Sequence, residues 1–290
     1  MNKVLKDFTE EDRKEICEQY IQGKSGVALA KENNCITNII YRILKEGGVK
    51  ARNDREKSLK FKCNEHYFDV IDTERKAYWL GLLAADGYIK DAGFEGFGIA
   101  LKESDKYLLE ELKKDIEFTG EVKTYTTKPG NSYTQTTYCR LQISSPYLRN
   151  KLISLGVVSH KTTTLVFPNE NQVPSQLWRH FIRGYIDGNG SITHSGATIV
   201  DKPNIKVCST YEFLDGMQKA LGINHKLNRK KDQEERNINS WNITIGGHKE
   251  VIDVLKTLYL NCSIYLKRKQ ERAMMILEEE KAHEQFCQSA

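Results

Sequence analysis

At 290 residues, with a formal charge of +5 and 29% charged side chains, the chain suits two or three compact units. It is only mildly basic, which permits a nucleic-acid partner without requiring one. Seven cysteines (Cys17, Cys35, Cys63, Cys139, Cys208, Cys262 and Cys287) are scattered and never spaced as CxxC, which excludes an obvious disulfide framework or zinc cluster and fits a reducing cytoplasm. With no signal pattern and no run of roughly 18 apolar residues, neither a signal peptide nor a membrane span is expected.

Residues 1–48 form the first expected unit. Thr9-Glu10-Glu11-Asp12 places a cap residue and acids at a helix start, without a full capping box being expected, and Ile16, Tyr20 and Ile21 follow as an apolar stripe. Gly23-Lys24-Ser25 breaks that helix, Val27 to Glu32 makes a second, and Asn33-Asn34-Cys35 a turn. A third runs from Thr37 through Lys45, with Ile39, Ile40, Ile43 and Leu44 inward, and is closed by Gly47-Gly48. Three short helices with a tight turn before the third resemble the helix-turn-helix of resolvase-like and homeodomain-like DNA binders, whose third helix enters the major groove. That resemblance implies Thr37, Asn38, Tyr41, Arg42 and Lys45 as groove-facing residues.

Residues 49–72 read as a basic linker. From Arg42 to Lys62 there are eight basic residues (Arg42, Lys45, Lys50, Arg52, Arg55, Lys57, Lys60, Lys62) against three acids. Such an excess suits a segment lying along a phosphate backbone, and Lys50, Arg52, Arg55 and Lys57 are candidate contacts.

The remainder reads as one order of elements written twice, over 73–168 and 169–290. Each half opens on an apolar helix that breaks at a glycine and runs into a strand: Tyr78-Trp79-Leu80-Gly81-Leu82-Leu83-Ala84-Ala85-Asp86-Gly87-Tyr88-Ile89, echoed by Phe181-Ile182-Arg183-Gly184-Tyr185-Ile186-Asp187-Gly188-Asn189-Gly190-Ser191-Ile192. Gly81 and Ala85, like Gly184 and Gly188, lie four apart, so each helix carries a bare track along one face. Interior glycine costs about 1 kcal/mol relative to alanine. Its repeated use predicts two helices packed backbone to backbone, their polar ends Asp86 and Asn189 meeting.

After the first helix come strands at 88–89 and 97–102, a helix opening at Ser104-Asp105, strands at 122–127 and 134–144, and a helix at 146–155. The second half repeats this: helix 177–189, strands near 191–200 and 204–209, helix 211–221, strands near 225–231 and 238–245, helix 247–260. A charged helix of unassigned role closes it at 266–285. This αββαββ order predicts an α+β fold, a pseudo-twofold duplicated core with two four-stranded antiparallel sheets backed by helices on one face. The free faces would form a saddle. Alternation nominates Thr124, Thr126, Lys128, Thr134, Thr136, Tyr138, Arg140 and Gln142 on the first face, and Lys206, Lys226, Asn228, Lys230, Asn237, Asn239 and Thr244 on the second, with Arg229 and Trp241 of opposite parity. Paired strands fit the major groove, where such side chains read base edges.

The two motif copies resemble the paired signature of LAGLIDADG homing endonucleases of the monomeric two-motif type, over roughly residues 65–275. The resemblance implies sequence-specific double-strand cleavage of a long DNA target with Mg²⁺ or another divalent cation, serving intron or intein mobility, by a monomer. It makes Asp86 and Asn189 the metal-binding pair, with Ala85 and Gly188 offering carbonyl oxygens. Asn189 departs from the family, where aspartate is expected. Three explanations stand: an inactivating substitution, a natural nickase, or a core that has lost cleavage. Lys161 follows Asp86 by 75 positions and Lys267 follows Asn189 by 78. The family's basic residues at these places flank the metals, so Lys161 and Lys267 are the candidates, with Lys269 as alternate. The competing reading is a binder without cleavage: a DNA-binding regulator, or a maturase whose partner is intron RNA.

Overall fold

A computed structural model of the chain describes residues 3–51, 61–90, 95–127, 135–159, 161–194, 202–229, 234–236 and 238–289, without the side chains of 162 and 283–289. The chain divides into two units, Met1–Phe61 and Lys62–Ala290, each with its own apolar core.

In the first unit α1 (Glu10–Ile21), α2 (Gly26–Glu32) and α3 (Thr37–Glu46) close on Ile16, Tyr20, Leu29, Ile40, Ile43 and Leu44. The start of α1 is a complete capping box after all. Asp12 N–H donates to Thr9 Oγ1 at 3.1 Å and the Asp12 carboxylate accepts from Thr9 N–H at 2.9 Å, an aspartate doing what glutamate usually does. Ile21 is 68% exposed, because five residues from Ile16 is well over a third of a turn off the buried stripe. Ser25 caps α2 by accepting from Ala28 N–H at 3.1 Å, and Asn34 takes a left-handed φ of 52° in the turn before α3.

The second unit begins inside the expected linker. Thr119 N–H donates to Lys62 O at 2.9 Å and Lys62 N–H to Thr119 Oγ1 at 2.8 Å, Asn64 N–H donates to Ile116 O at 2.7 Å, and Phe68 and Ile71 are buried in the core. The apolar residues of 67–71 carry this stretch into the fold, so only the part before Lys62 is left for a linker. Then follow α4 (Glu74–Asp86), β1 (Gly87–Lys90), β2 (Gly96–Lys102), α5 (Lys106–Asp115), β3 (Lys123–Thr126), β4 (Thr137–Ser144), α6 (Pro146–Ser154) and α7 (Lys161–Thr164). The repeat continues with α8 (Trp178–Asn189), β5 (Gly190–His194), β6 (Pro203–Ser209), α9 (Tyr211–Leu221), β7 (Trp241–Ile245), α10 (His248–Tyr259) and α11 (Lys267–Ser289).

Both sheets are antiparallel, ordered β1-β2-β4-β3 and β5-β6-β7. The α+β duplication stands, but among the described residues the second sheet has three strands where four are expected. The strand expected near 225–231 is reduced to one bridge, Asn228 with Asn242, closed by bonds of 2.8 and 2.7 Å. The preceding residues turn to α9 instead: Ile223 N–H donates to Gln218 O and His225 N–H to Gln218 Oε1, each at 3.0 Å.

The motif helices α4 and α8 run parallel at backbone contact. A Cβ on Gly81 would stand 2.0 Å from Phe181 O, and one on Gly184 would stand 2.1 Å from Tyr78 O, the same contact seen from each half. Further down, a Cβ on Gly188 would meet Ala85 Cβ at 2.3 Å and Asp86 Oδ2 at 3.0 Å. The bare tracks are therefore the interface, and a single apolar core runs through both halves.

Candidate functional site

Asp86 and Asn189 are the last residues of α4 and α8, and both are exposed at the shared end of the helix pair. A helix C-terminus leaves its last carbonyls without intrahelical partners and carries partial negative charge. Two such ends meet here, together with a carboxylate. Among the described residues the Asp86 carboxylate accepts no hydrogen bond. The protein mass around it pushes its carboxyl above the usual range, against the pull of Lys161, Lys269 and Arg268.

Asn189 is held differently. Its Nδ2 donates to Cys208 O at 2.7 Å and to Tyr185 Oη at 3.1 Å, and the Tyr185 hydroxyl donates to Ser209 Oγ at 2.8 Å. Because a carbonyl only accepts, Cys208 fixes which way the amide faces. The two pseudo-equivalent positions are thus chemically unlike: one open anion, one anchored neutral donor.

Two lysines neutralise this end. Lys161, which opens α7, donates through Nζ to Leu83 O at 3.0 Å. Lys269, buried in the first turn of α11, donates through Nζ to Ile186 O, to Asp187 O at 2.8 Å and to Gly190 O at 2.6 Å. Leu83 and Ile186 each stand three residues before the motif's last polar residue, so Lys161 and Lys269 are the equivalent pair. Both are pulled down to about 8, chiefly by burial, with Asp86 opposing for Lys161 and Asp187 for Lys269. Lys267 lies elsewhere. Its backbone N–H donates to Tyr107 Oη at 2.6 Å and its ammonium sits 4.3 Å from the Tyr107 ring centroid. Counting positions brings Lys267 nearest to the spacing of Lys161; the helical turn of α11 brings Lys269 instead.

For a hard divalent cation, which takes one or two carboxylates and completes its shell from phosphate and water, the donor set fits one ion. Asp86 could supply the charge, and the end carbonyls, Ala85 and Gly188 among them, could supply neutral oxygens. No group of three or more His, Cys, Asp or Glu side chains suited to a metal occurs among the described residues.

Sequence reasoning missed the acid beneath the site. Asp187 is fully buried, accepting from Tyr78 Oη and Tyr259 Oη at 2.8 Å and from Leu266 N–H at 2.7 Å. Burial pushes its carboxyl up, and its oxygens are occupied, so it is a structural tie between halves. Arg183 is likewise buried, donating to Glu74 at 2.7 Å and to the carbonyls of Ile264 and Leu258. The only signal was negative: polar residues on an otherwise apolar helix.

On the first sheet Tyr138, Arg140 and Gln142 alternate with the buried Cys139, Leu141 and Ile143, and so lie on the open face, with Thr136 in the same alternation. Thr124 pairs with Cys139 and Thr126 with Thr137, so both belong to the opposite face; the open face of β3 carries Lys123 and Tyr125. An even number of residues separates the paired Thr127 and Thr136, which pairs odd positions of one strand with even positions of the other and flips the expected parity. In the second sheet Lys206 and Thr244 pair on the open face, and Lys226 and Asn228 are exposed. Asn239 is committed to α9, its amide donating to Glu212 at 2.8 Å and accepting from Tyr211 N–H at 3.2 Å. The Arg229 guanidinium lies 5.5 Å from the Trp241 ring centroid.

On α3, Asn38, Arg42 and Lys45 are exposed, as is Lys50 beyond it. Thr37 and Tyr41 are half-buried; the Tyr41 ring covers Gly26, and Arg42 pairs with Glu46 at 3.3 Å. Arg52, Arg55, Lys57, Lys128, Thr134, Lys230 and Asn237 lie outside the described residues.

The fold and site define a duplicated α+β protein built on parallel, glycine-notched helices that present a carboxylate, a carboxamide and two lysines at one end. No protein-family model and no curated protein matches the chain. Solved structures similar to it are LAGLIDADG homing endonucleases. I-WcaI bound to its DNA recognition sequence is 11% identical, covering 71% of this chain and 91% of that chain at a TM-score of 0.49. The I-LtrWI endonuclease bound to target DNA is 14% identical, covering 76% and 92% at 0.44. A variant of I-DmoI with its target DNA and Mg is 12% identical, covering 64% and 95% at 0.39. Among the described residues no helix is long and apolar enough to cross a membrane.

Proposed function

We propose that the chain is a sequence-specific DNA endonuclease of the LAGLIDADG homing type that hydrolyses phosphodiesters with a divalent cation, acting as a monomer on a long duplex site. The observation that carries this reading is the shared end of α4 and α8, where Asp86, whose carboxylate accepts no hydrogen bond among the described residues, stands among cations at the pseudo-twofold of the two motif helices. Asp86, with the Ala85 and Gly188 carbonyls, would hold the metal. A magnesium ion bound there would acidify a water and offset the charge of the phosphate. Lys161 and Lys269, rather than Lys267, hold protons at Nζ beside the reacting phosphate, where positive charge stabilises the transition state. Hydrolysis adds a water oxygen to phosphorus and expels the opposite sugar oxygen, which leaves with a proton.

Asn189 makes the halves unequal. Its amide offers no charge, so the strand served by the second half is cut more slowly and the chain nicks before it breaks. In the same reading the sheet faces contact the duplex, and α2 and α3 act as a helix-turn-helix, with Asn38, Arg42 and Lys45 towards DNA. The second reading, a non-cleaving regulator or maturase, is favoured by one observation: Asn189 is anchored as a donor to Cys208 O. The test is incubation of a randomised duplex library with Mg²⁺ and this chain, Asp86→Asn or Asn189→Asp. Strand breaks at one long site, lost in Asp86→Asn and double-stranded in Asn189→Asp, support the endonuclease. Specific binding by both this chain and Asn189→Asp, with a break by neither, establishes the binder.

A further inference from the structure

The two lysines at the shared end are not equally free. An ammonium has three N–H groups to give. Lys269 is buried and directs its Nζ at three carbonyl oxygens, those of Ile186, Asp187 and Gly190, whereas Lys161 gives one hydrogen bond, to Leu83 O. Lys269 therefore brings charge to this end but no hydrogen bond for a ligand. Its neighbour Arg268 is placed otherwise. With its side chain 48% exposed, Arg268 donates through Nε to Asp105 Oδ2 at 3.3 Å. A guanidinium has five N–H groups, and the other four have no partner among the described residues. Asp105 belongs to the first half. β2, whose Ile99 pairs with Gly87 directly after Asp86, runs on past that pair and ends in a single 3-10 turn, Glu103–Asp105. That turn stands beside the end of α4, and α11 meets it one residue before the lysine that bonds Gly190 O. Both groups act on Asp86, Arg268 pulling its carboxyl down and Asp105 pushing it up. Asp105 is buried, yet its side chain does not cap the helix that follows it. Burying a carboxylate is costly and a half-exposed ion pair returns little, so stability alone is a poor reason for the pair.

We infer that Arg268, oriented by Asp105 across the boundary between the halves, grips a phosphate of the bound duplex at the shared end of α4 and α8. This rests on the reading above, in which the duplex lies across that end. Two parallel N–H groups of a guanidinium match two oxygens of a phosphate, whereas an ammonium acts as a point charge. With Nε committed to Asp105, the Nη1 and Nη2 edge remains for the ligand. Asp105 is then a positioning residue: it holds the guanidinium but does not itself touch DNA. The pair gives the second half a hydrogen-bonding cation that Lys269, spent on carbonyls, does not supply.

The test uses the duplex that the full chain selects from a randomised library, bound without divalent metal. One neutral methylphosphonate replaces each phosphate of its central base pairs in turn, and the unmodified chain is compared with Arg268→Gln and Asp105→Asn. The expected result is one position at which the replacement costs the unmodified chain about tenfold more affinity than it costs Arg268→Gln. At that position Asp105→Asn should fall between the two. Selection of the same sequence by all three chains reports that the variants are folded. An equal difference at every position, or at none, would make Arg268 and Asp105 a structural pair and overturn the inference. Full coupling in Asp105→Asn would overturn the positioning role of Asp105. If the unmodified chain selects no sequence, it is the DNA-binding reading that fails, and the inference falls with it.

Discussion

Replacing Gly81 by alanine tests the helix pair that positions everything else. The new methyl would lie 2.0 Å from Phe181 O and 3.0 Å from Tyr185 N, and all its near neighbours are backbone, so no side chain can rotate away. Relief requires α4 and α8 to part by about 1 Å, and a gap of that size forfeits a quarter to a half of the dispersion attraction of the atoms it separates. Overpacking of this kind costs about 1–3 kcal/mol and occasionally more. Alanine's better helix propensity returns about 1 kcal/mol, and since the clash is with backbone alone the cost sits at the upper end of that range, leaving a net loss of about 2 kcal/mol. Urea unfolding reads this as a fall in midpoint of about 1 M with an unchanged slope. Gly184→Ala should cost the same by symmetry. Because one separation relieves both clashes, the double variant should cost clearly less than the sum. Gly246→Ala, with nothing within 4 Å of its Cβ, is the control. Full additivity, or no loss in Gly81→Ala, would refute backbone contact between the helices.

Asn189→Asp brings a carboxylate oxygen to the 2.7 Å position facing Cys208 O, and should lower stability at neutral pH by about 1–3 kcal/mol in chemical denaturation even where it gains cleavage. Asp187→Asn replaces one acceptor of the buried tie to Tyr78, Tyr259 and Leu266 by a donor, at a cost of about 2–4 kcal/mol read in the same way. Lys161 titrates at about 8 in the folded chain against 10.5 for the ordinary side chain. Between those values the unfolded chain binds the extra proton, so stability from this group rises with pH. Relative to Lys161→Met, the unmodified chain should gain about 2 kcal/mol from pH 8 to 10, and a flat difference would show the ammonium to be unperturbed.

What could be read in advance was whatever depends on local pattern. The duplicated helices, their glycine tracks and the order of elements follow from spacing alone, because a bare face repeated in two helices has few uses other than close packing. What escaped depends on geometry set at a distance. The parity of Thr124 and Thr126 was decided by the length of the connection between β3 and β4. That Lys269 and not Lys267 reaches the α8 end depends on their places around the first turn of α11. Asn239 reads as a surface amide until α9 is placed beside it. Phe68 and Ile71 lie just past a basic run, and charge concealed a short apolar segment that belongs to the core.

The lysine that caps α8 arrives late in synthesis. Lys269 lies 83 residues after its acceptor Ile186, and α11, which supplies it, also buries Ala273, Ile276 and Leu277. Domains fold as units while the chain is made from its N-terminus. The end of α8 therefore stays without its lysine on the ribosome until α11 has emerged, whereas the end of α4 already has Lys161. A nascent chain stopped short of this helix carries both motifs, the first sheet and Asp86, yet lacks the lysine that holds the end of α8. Closure of the α8 end thus waits on a helix that follows both motifs in the chain.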